Sequence, residues 1–318
     1  MDEIEASSTS TSTSSEMSQP QPQPAKYETM RLPRVLSIQS QTVRGYVGNK
    51  SAVFPMQLLG LDVDPLNILQ FSNHTGYAKV TGTRSTPSEV LDIVSGLEEN
   101  GFLSDYSHLI TGYIGRVSVL ESILNIVLRI NASSPKLLYV CDPVLGDAGA
   151  LYVPKECVAY YKHNLIPHAH VLTPNQFEVE SLLNVTLSTM EEAQQAVSQL
   201  HDIGPRYVVI TSLDFKNSKE EENTDFLHVL CSTRMGDESD AQYQFKIRKL
   251  FGKYTGTGDL FTALLVAHLA KIPQDETIPN CRFFASVVET VLDTIECILQ
   301  RTRDEGNVHL NIMIKMVM

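Results

Sequence analysis

Short apolar runs alternate with longer helical stretches along most of the chain, from residue 34 onward. The short runs have the length and the Val, Ile and Leu content of buried strands. Such alternation predicts a mostly parallel sheet with helices on both faces. Strands are predicted at 34–40, 67–72, 108–114, 136–146, 169–175 and 207–214, and helices at 48–60, 117–130, about 191–201 and about 279–300.

Two regions depart from this rhythm. Residues 226–250 form two apolar runs around a polar, glycine-containing turn, which predicts an antiparallel pair at one edge of the sheet. Residues 1–32 contain STSTSTSS and QPQPQP, a composition that buries too little apolar surface to offset its ordering entropy. We therefore expect a disordered polar tail over 1–32 and a single domain over 33–318.

Charge and composition narrow the class of partner. The chain of 318 residues has a formal net charge of −12, and it lacks a basic run that could serve as a nucleic-acid surface. No apolar run reaches the roughly 20 residues of a membrane span. The five cysteines are odd in number and lack CxxC spacing, which favours reduced thiols and a cytoplasmic location. We expect small-molecule chemistry, with neither nucleic acid nor membrane as a partner.

Polar residues follow the apolar runs at positions where parallel strands should end. Open α/β sheets bind ligands at the carboxyl ends of their strands, so this placement predicts one site built from several strands. The residues are Ser40, those at 72–75, Tyr113, Asp142, Thr173, Thr211 and Ser212.

The stretch KYTGTGDLF (253–261) carries two glycines at the start of an apolar helix, but it matches neither common nucleotide fingerprint. In a structural interpretation, Asp259 is the N-cap of a buried helix. In a functional one, the amides of Gly256, Thr257 and Gly258 stabilise a transferred phosphate while Asp259 accepts a proton from an alcohol. The stretch alone leaves both open.

Two further clusters carry carboxylates. CDPVLGD (141–147) has two acids five residues apart, which suits Mg²⁺ with phosphate oxygens as further ligands, or else forms a solvated turn. TPNQFEVESLL (173–183) has capping-box spacing between Asn175 and Glu178, which favours a structural cap. In a functional interpretation Glu178 holds a metal-bound water network.

FSNHTGY (71–77) brings together Phe71, His74 and Thr75. A lone histidine of this kind is usually a core residue, and a threonine here is usually part of a turn. In a site, the same residues would line a pocket for a flat polar heterocycle.

Together, SIQSQTVRGYVGNKSAVFPMQLLG, NILQFSNHTGY, ITGY, YVCDPVLGD, TPNQFE, VVITS and GTGDLF resemble the pyridoxal kinase family of the ribokinase-like superfamily, over about residues 34–270. The resemblance implies a three-layer α/β/α fold and transfer of the γ-phosphate of ATP to the 5′-hydroxyl of pyridoxal, pyridoxine or pyridoxamine. It also implies Mg²⁺ with ATP as co-substrate, K⁺ or Na⁺ as a further cation, and a homodimer.

The resemblance also assigns roles. Asp259 is implied as the catalytic base, which also contacts the substrate, and Gly256, Thr257 and Gly258 as the anion hole. The pyridine ring is assigned to Ser40, Phe71, His74, Thr75 and Tyr113. ATP is assigned to Asp142, Tyr152, Asn175, Glu178, Thr211, Ser212, Thr257 and Gly258, and the cations to Asp142, Asp147, Thr173 and Glu178.

Two departures from the family pattern accompany the resemblance. The lid between Asp147 and Tyr152 is reduced to AGAL, and Tyr254 and Thr255 stand where small or apolar residues are usual. The alternatives are a hydroxymethylpyrimidine kinase on the same scaffold and a catalytically dead vitamer-binding or scaffold protein.

Overall fold

The computed structural model describes residues 32–215, 225–234, 241–250, 252, 254–272 and 280–304. The predicted tail over 1–32 therefore lies outside the described residues except for Leu32, as does the predicted first residue of the last helix, Pro279.

The strands and helices follow the predicted alternation. The strands are β1 (Arg34–Thr42), β2 (Asp62–Phe71), β3 (Gly82–Arg84), β4 (Tyr106–Thr111), β5 (Leu138–Cys141), β6 (Gly146–Asp147), β7 (Ala150–Leu151), β8 (Val171–Leu172), β9 (Tyr207–Leu213), β10 (Phe226–Thr233) and β11 (Ala241–Arg248). The α-helices are α1 (Asn49–Leu58), α2 (Pro87–Glu99), α3 (Val117–Ser133), α4 (Lys155–Tyr160), α5 (Gln176–Leu183), α6 (Met190–Ile203), α7 (Thr257–Leu269) and α8 (Cys281–Asp304).

Within the described residues, nine strands form one sheet in the order β11-β10-β9-β8-β5-β4-β1-β2-β3. The six strands from β9 to β2 in this order run parallel, whereas β10, β11 and β3 are antiparallel to their neighbours. The predicted antiparallel edge is thus confirmed, and the short β3 adds a second one. Because the chain passes from β1 to β2 on one side and returns to β4 on the other, a crevice is expected at the carboxyl ends of β1 and β4.

The core lies on both faces of this sheet. Along β5, Tyr139 and Cys141 pack into one apolar cluster while Val140 packs into the other. This alternation is what the two-residue period of a strand requires when both faces are covered. Helices α2 to α6 contribute to the first cluster, and α1, α7 and α8 to the second, which gives the predicted three layers.

Sequence analysis missed helix α2, although its start carries a recognisable signal. Thr86 and Glu89 form a capping box, with Pro87 at the first helical position. The Thr86 Oγ1 atom accepts from the Glu89 amide at 3.3 Å, and the Glu89 carboxylate accepts from the Thr86 amide at 2.6 Å. Strand β3 is only three residues long and all three are exposed, so no apolar pattern predicts it.

The five cysteines all lie in described residues and form no disulfide there. No helix in the described part of the chain has both the length and the apolar character needed to cross a membrane.

Candidate active site

The carboxyl ends of the central strands bring two predicted residues side by side. Asp142 directly follows β5, and Thr173 directly follows β8. The Asp142 amide donates to the Thr111 carbonyl at 2.9 Å, and the Thr173 amide donates to the Cys141 carbonyl at 3.1 Å, so each continues the parallel pairing by one residue. Both side chains are buried. Thr211 lies within β9, and its amide donates to the Pro174 carbonyl at 2.9 Å, which places it beside the same segment.

Helix α7 begins at the glycine-rich stretch. Gly256 is the N-cap residue, with a φ of 82°, and a Cβ there would overlap the Tyr46 carbonyl oxygen. The structural interpretation of Asp259 as the N-cap is therefore wrong: Asp259 is the third residue of the helix, inside its first turn. Gly256 offers no capping side chain, so the first amides of α7, with their partial positive charge, remain available to an anion.

Asp259 is linked to the substrate side of the site through Gly48. Desolvation raises the pKa of the half-buried Asp259 carboxyl, and a hydrogen bond from the Gly48 backbone partly opposes that rise. A Cβ at Gly48, whose φ is 56°, would overlap the carbonyl oxygen of Ser40. Gly48 thus touches the predicted base and a predicted ring-binding residue, a role that sequence analysis missed because it depends on how α1 packs against α7.

The acidic residues repel one another. Desolvation, followed by the charges of Glu178 and Asp259, raises the pKa of Asp142 well above its usual range, and a hydrogen bond from Thr262 opposes the rise. The pKa of Glu178 is raised to about 8 by desolvation, against backbone hydrogen bonds from Asn175, Leu145 and Gly146. A group of buried carboxylates held in this way is typical of a functional site.

The capping box predicted at the start of α5 is present. The Glu178 amide donates to Asn175 Oδ1 at 2.9 Å, and the Asn175 amide donates to Glu178 Oε2 at 2.8 Å. Both residues also reach the CDPVLGD turn, since the Leu145 amide donates to Glu178 Oε1 at 3.0 Å and Asn175 Nδ2 donates to the Gly146 carbonyl at 2.8 Å. The box therefore joins α5 to the segment that carries Asp147.

The segment between Asp147 and Tyr152, which the resemblance assigns to a lid, forms a hairpin with a two-residue turn between β6 and β7. Ala148 and Gly149 form its turn, with φ values of 49° and 81°. The Asp147 carboxylate is exposed and accepts from the Ala148 amide at 2.7 Å. Tyr152 follows the hairpin with 54% of its surface exposed. Both side chains stand at the rim of the site, whereas Asp142 and Thr173 lie at its base.

The residues predicted to bind a ring lie at the carboxyl ends of β1, β2 and β4, which are adjacent. Ser40 lies inside β1, at a register shift relative to β2, and the strand continues to Thr42, two residues beyond its predicted end. Phe71 is the last residue of β2. The Cζ atom of Arg84 lies over the Phe71 ring, 4.6 Å from the ring centroid. His74 Nδ1 accepts from the Gly76 amide at 3.1 Å.

Two other predicted ring residues are more open to solvent. Thr75 is exposed, and Tyr113 is half-buried in the loop after β4. The Tyr113 hydroxyl packs against Gly115 so closely that a Cβ at residue 115 would overlap the hydroxyl oxygen. Ser212, which the resemblance assigns to ATP, is half-buried in β9 next to Thr211.

The donor set at the base of the site fits a hard cation held through few protein ligands. Among the described residues, no three His, Cys, Asp or Glu side chains gather into a metal site. Asp142 is the carboxylate whose charge most needs a counter-ion, because it is buried beside two others. Each Glu178 oxygen accepts from a backbone amide, so Glu178 suits an indirect, water-mediated contact better than direct ligation.

Comparison with known proteins gives consistent results. A family model described as phosphomethylpyrimidine kinase matches residues 106–284. A pyridoxal kinase from Arabidopsis thaliana is 44% identical over 274 residues, which cover 86% of this chain and 83% of that protein. A pyridoxal kinase from Homo sapiens is 39% identical over 277 residues and 85% of both chains. A structure of pyridoxal kinase from Leishmania donovani in complex with ADP and pyridoxamine aligns with a TM-score of 0.74 at 37% identity, over 84% of this chain and 88% of that one.

Proposed function

The chain belongs to the pyridoxal kinase family, and on that premise we propose that it transfers the γ-phosphate of ATP to the 5′-hydroxyl of pyridoxal, pyridoxine and pyridoxamine. The observation that carries the assignment of the site is the position of Asp259, in the first turn of α7 and in contact with Gly48. It puts a carboxylate between the amides of a helix N-terminus and the strand ends assigned to the ring.

In this proposal the parts of the site divide the work. Asp259 accepts the proton of the acceptor hydroxyl, and its raised pKa brings it nearer to the range in which a carboxylate is an effective base. The amides of Gly256, Thr257 and Gly258 hold the phosphate and stabilise the charge that develops on it. Catalysis of phosphoryl transfer rests mainly on such positioning and charge stabilisation.

We propose Mg²⁺, bound with ATP, as the cation next to Asp142, with Thr173 beside it and Glu178 acting through water. The cation neutralises phosphate charge when bound. The mutual repulsion of the buried carboxylates supports this proposal, since a cation would allow Asp142 to ionise. Asp147 on the hairpin is proposed to approach the phosphates, and K⁺ or Na⁺ is proposed as a further cation.

The substrate test is a coupled assay that follows ADP release with each of the three vitamers, with Mg·ATP, and with and without K⁺. Turnover of at least one vitamer is expected. Failure to phosphorylate any of them would remove the proposal and favour a catalytically dead vitamer-binding protein.

A second candidate substrate is favoured by one observation, the match of residues 106–284 to the phosphomethylpyrimidine kinase model. The same assay with hydroxymethylpyrimidine separates the two. A higher kcat/KM for a B6 vitamer supports pyridoxal kinase, and a higher value for the pyrimidine supports the alternative.

We also propose a homodimer, on family resemblance, and a cytoplasmic location, on the cysteine pattern. Light scattering of the purified chain tests the first, because a mass near twice the 35.4 kDa of one chain is expected and a monomer would overturn it.

A further inference from the structure

Helix α7 carries a buried hydroxyl that neither the proposed mechanism nor the sequence motifs use. Thr262 is 1% exposed and lies one helical turn after Gly258, so the two residues share a face of α7. That face is turned toward Asp142: a Cβ built on Gly258 would lie 3.8 Å from Asp142 Oδ2.

Thr262 connects two residues at the base of the site. Its Oγ1 atom donates to Asp142 Oδ2 at 3.4 Å, and it lies 3.0 Å from Thr173 Oγ1. When Asp142 is ionised it only accepts, and a hydroxyl has one proton, so the chain of hydrogen bonds then runs from Thr173 to Thr262 to Asp142. Two strand ends and the helix that carries the proposed base are therefore joined by one hydroxyl.

The link spans a part of the site that carries like charges, since the charge of Asp259 on α7 contributes to the raised pKa of Asp142. The Thr262 hydroxyl gives α7 a direct polar contact with Asp142, and the same hydroxyl reaches Thr173 after β8.

We infer that Thr262 is a positioning residue for phosphoryl transfer, one that holds the first turn of α7 in register with Asp142 and Thr173 on the nucleotide side of the site. This inference rests on the proposed function for its kinetic consequence. It assigns no contact between Thr262 and the substrates.

The test compares Thr262→Val, which keeps the shape but removes the hydroxyl, with Thr262→Ser, which keeps the hydroxyl. Thr302→Val is the matched control: Thr302 is also buried in a helix, and its hydroxyl donates to the Ile298 carbonyl of α8. For Thr262→Val we expect a fall of about tenfold in kcat and a change of less than about twofold in the KM of pyridoxal, whereas Thr262→Ser recovers most of the kcat.

A second readout does not need turnover. Calorimetric titration with Mg·ADP should give an affinity that is about three- to tenfold weaker for Thr262→Val than for Thr262→Ser, because Asp142 and Thr173 are no longer held together. If the wild-type chain phosphorylates no vitamer, the proposed function fails. The difference in Mg·ADP affinity between the Val and Ser variants then still tests whether Thr262 positions Asp142 and Thr173.

Equal Mg·ADP affinities for the Val and Ser variants would overturn the inference, as would equal kcat values in an active enzyme. The melting temperature of each variant is measured against Thr302→Val. If Thr262→Val does not fold, Thr262→Ala removes the hydroxyl without placing a methyl group against the carboxylate, and the same two comparisons decide.

Discussion

Some single residues at this site both stabilise the fold and belong to the predicted site, and Glu178 is an example. Its carboxyl group caps α5 and holds the Leu145 amide, so both oxygens are engaged by backbone donors. Its pKa of about 8 means that the folded protein keeps a proton that the unfolded chain releases near its ordinary pKa of 4.5. Stability contributed by Glu178 is therefore full below about pH 4.5 and is lost as the pH rises through 8.

We predict that Glu178→Gln lowers the free energy of unfolding by about 1–2 kcal/mol at pH 5, because an amide NH₂ cannot accept from one of the two backbone donors. The gap to the wild type should narrow and then change sign between pH 5 and pH 8, because the unfolded wild-type chain ionises above its ordinary pKa while the folded side chain keeps its proton until about pH 8. Urea denaturation of the cation-free protein at pH 5, 6.5 and 8 measures both effects.

Glu192 provides a matched control, because it closes an exposed capping box at the start of α6. Water can replace its hydrogen bonds, so Glu192→Gln should cost less than Glu178→Gln. Equal losses for Glu178→Gln and Glu192→Gln at every pH would refute the prediction.

At the scale of elements, the packing of α1 against α7 forms the contact between the ring side and the proposed base. Ser51 Oγ on α1 donates to the Gly256 carbonyl at 3.1 Å, and Gly48 contacts both Ser40 and Asp259. None of these contacts follows from spacing within either motif, since residues 48 and 256 are more than 200 positions apart.

Gly48→Ala is expected to lower kcat by at least about tenfold, because the Cβ would displace Ser40 and move the amide that contacts Asp259. Gly101→Ala separates this effect from backbone strain alone: Gly101 has a φ of 75°, and a Cβ there meets no atom within 4 Å. That control should lose about 1 kcal/mol of stability and keep its kcat. Similar activity in the two variants would count against the contact.

The β6–β7 hairpin gives a second prediction at this scale. Ala148 has a φ of 49°, a conformation that asparagine tolerates better than alanine, and Asn-Gly is the preferred pair for a two-residue turn with positive φ at both positions. Ala148→Asn should therefore raise the free energy of unfolding by about 0.5–1 kcal/mol. Differential scanning calorimetry measures this change, and a lower melting temperature for Ala148→Asn would contradict strain at Ala148.

The sequence predicted elements well where apolar runs were long and buried, as in β9 and α3, and it predicted the antiparallel pair β10–β11. It missed α2 because the capping signal at Thr86 was not used, and β3 because its exposed residues carry no pattern. Within the site, the motifs located Asp142, Thr173 and Asp259. Gly48 and Thr262 were missed because their importance arises only when α1, α7 and the strand ends pack together.

At the scale of the whole molecule, the fold explains why the motifs meet. Parallel strands place FSNHTGY, Tyr113, CDPVLGD and TPNQFE at one edge of the sheet, and α7 brings the glycine-rich turn to the same edge. The first turn of α7 then lies between the strands assigned to the vitamer and those assigned to the nucleotide. The division of labour between Asp259 and the amides that precede it is the central claim.

Asp259→Asn tests this claim most directly, because it keeps the shape of the side chain and removes its ability to accept a proton as a carboxylate. Single-turnover and steady-state kinetics with pyridoxal, together with calorimetric titration of Mg·ATP, measure chemistry and binding separately. Asp92→Asn, on the exposed face of α2, controls for the change in net charge. The account predicts a fall in kcat of about a hundredfold to ten-thousandfold with Mg·ATP affinity within about threefold of the wild type. A variant that retains near-native turnover would contradict it.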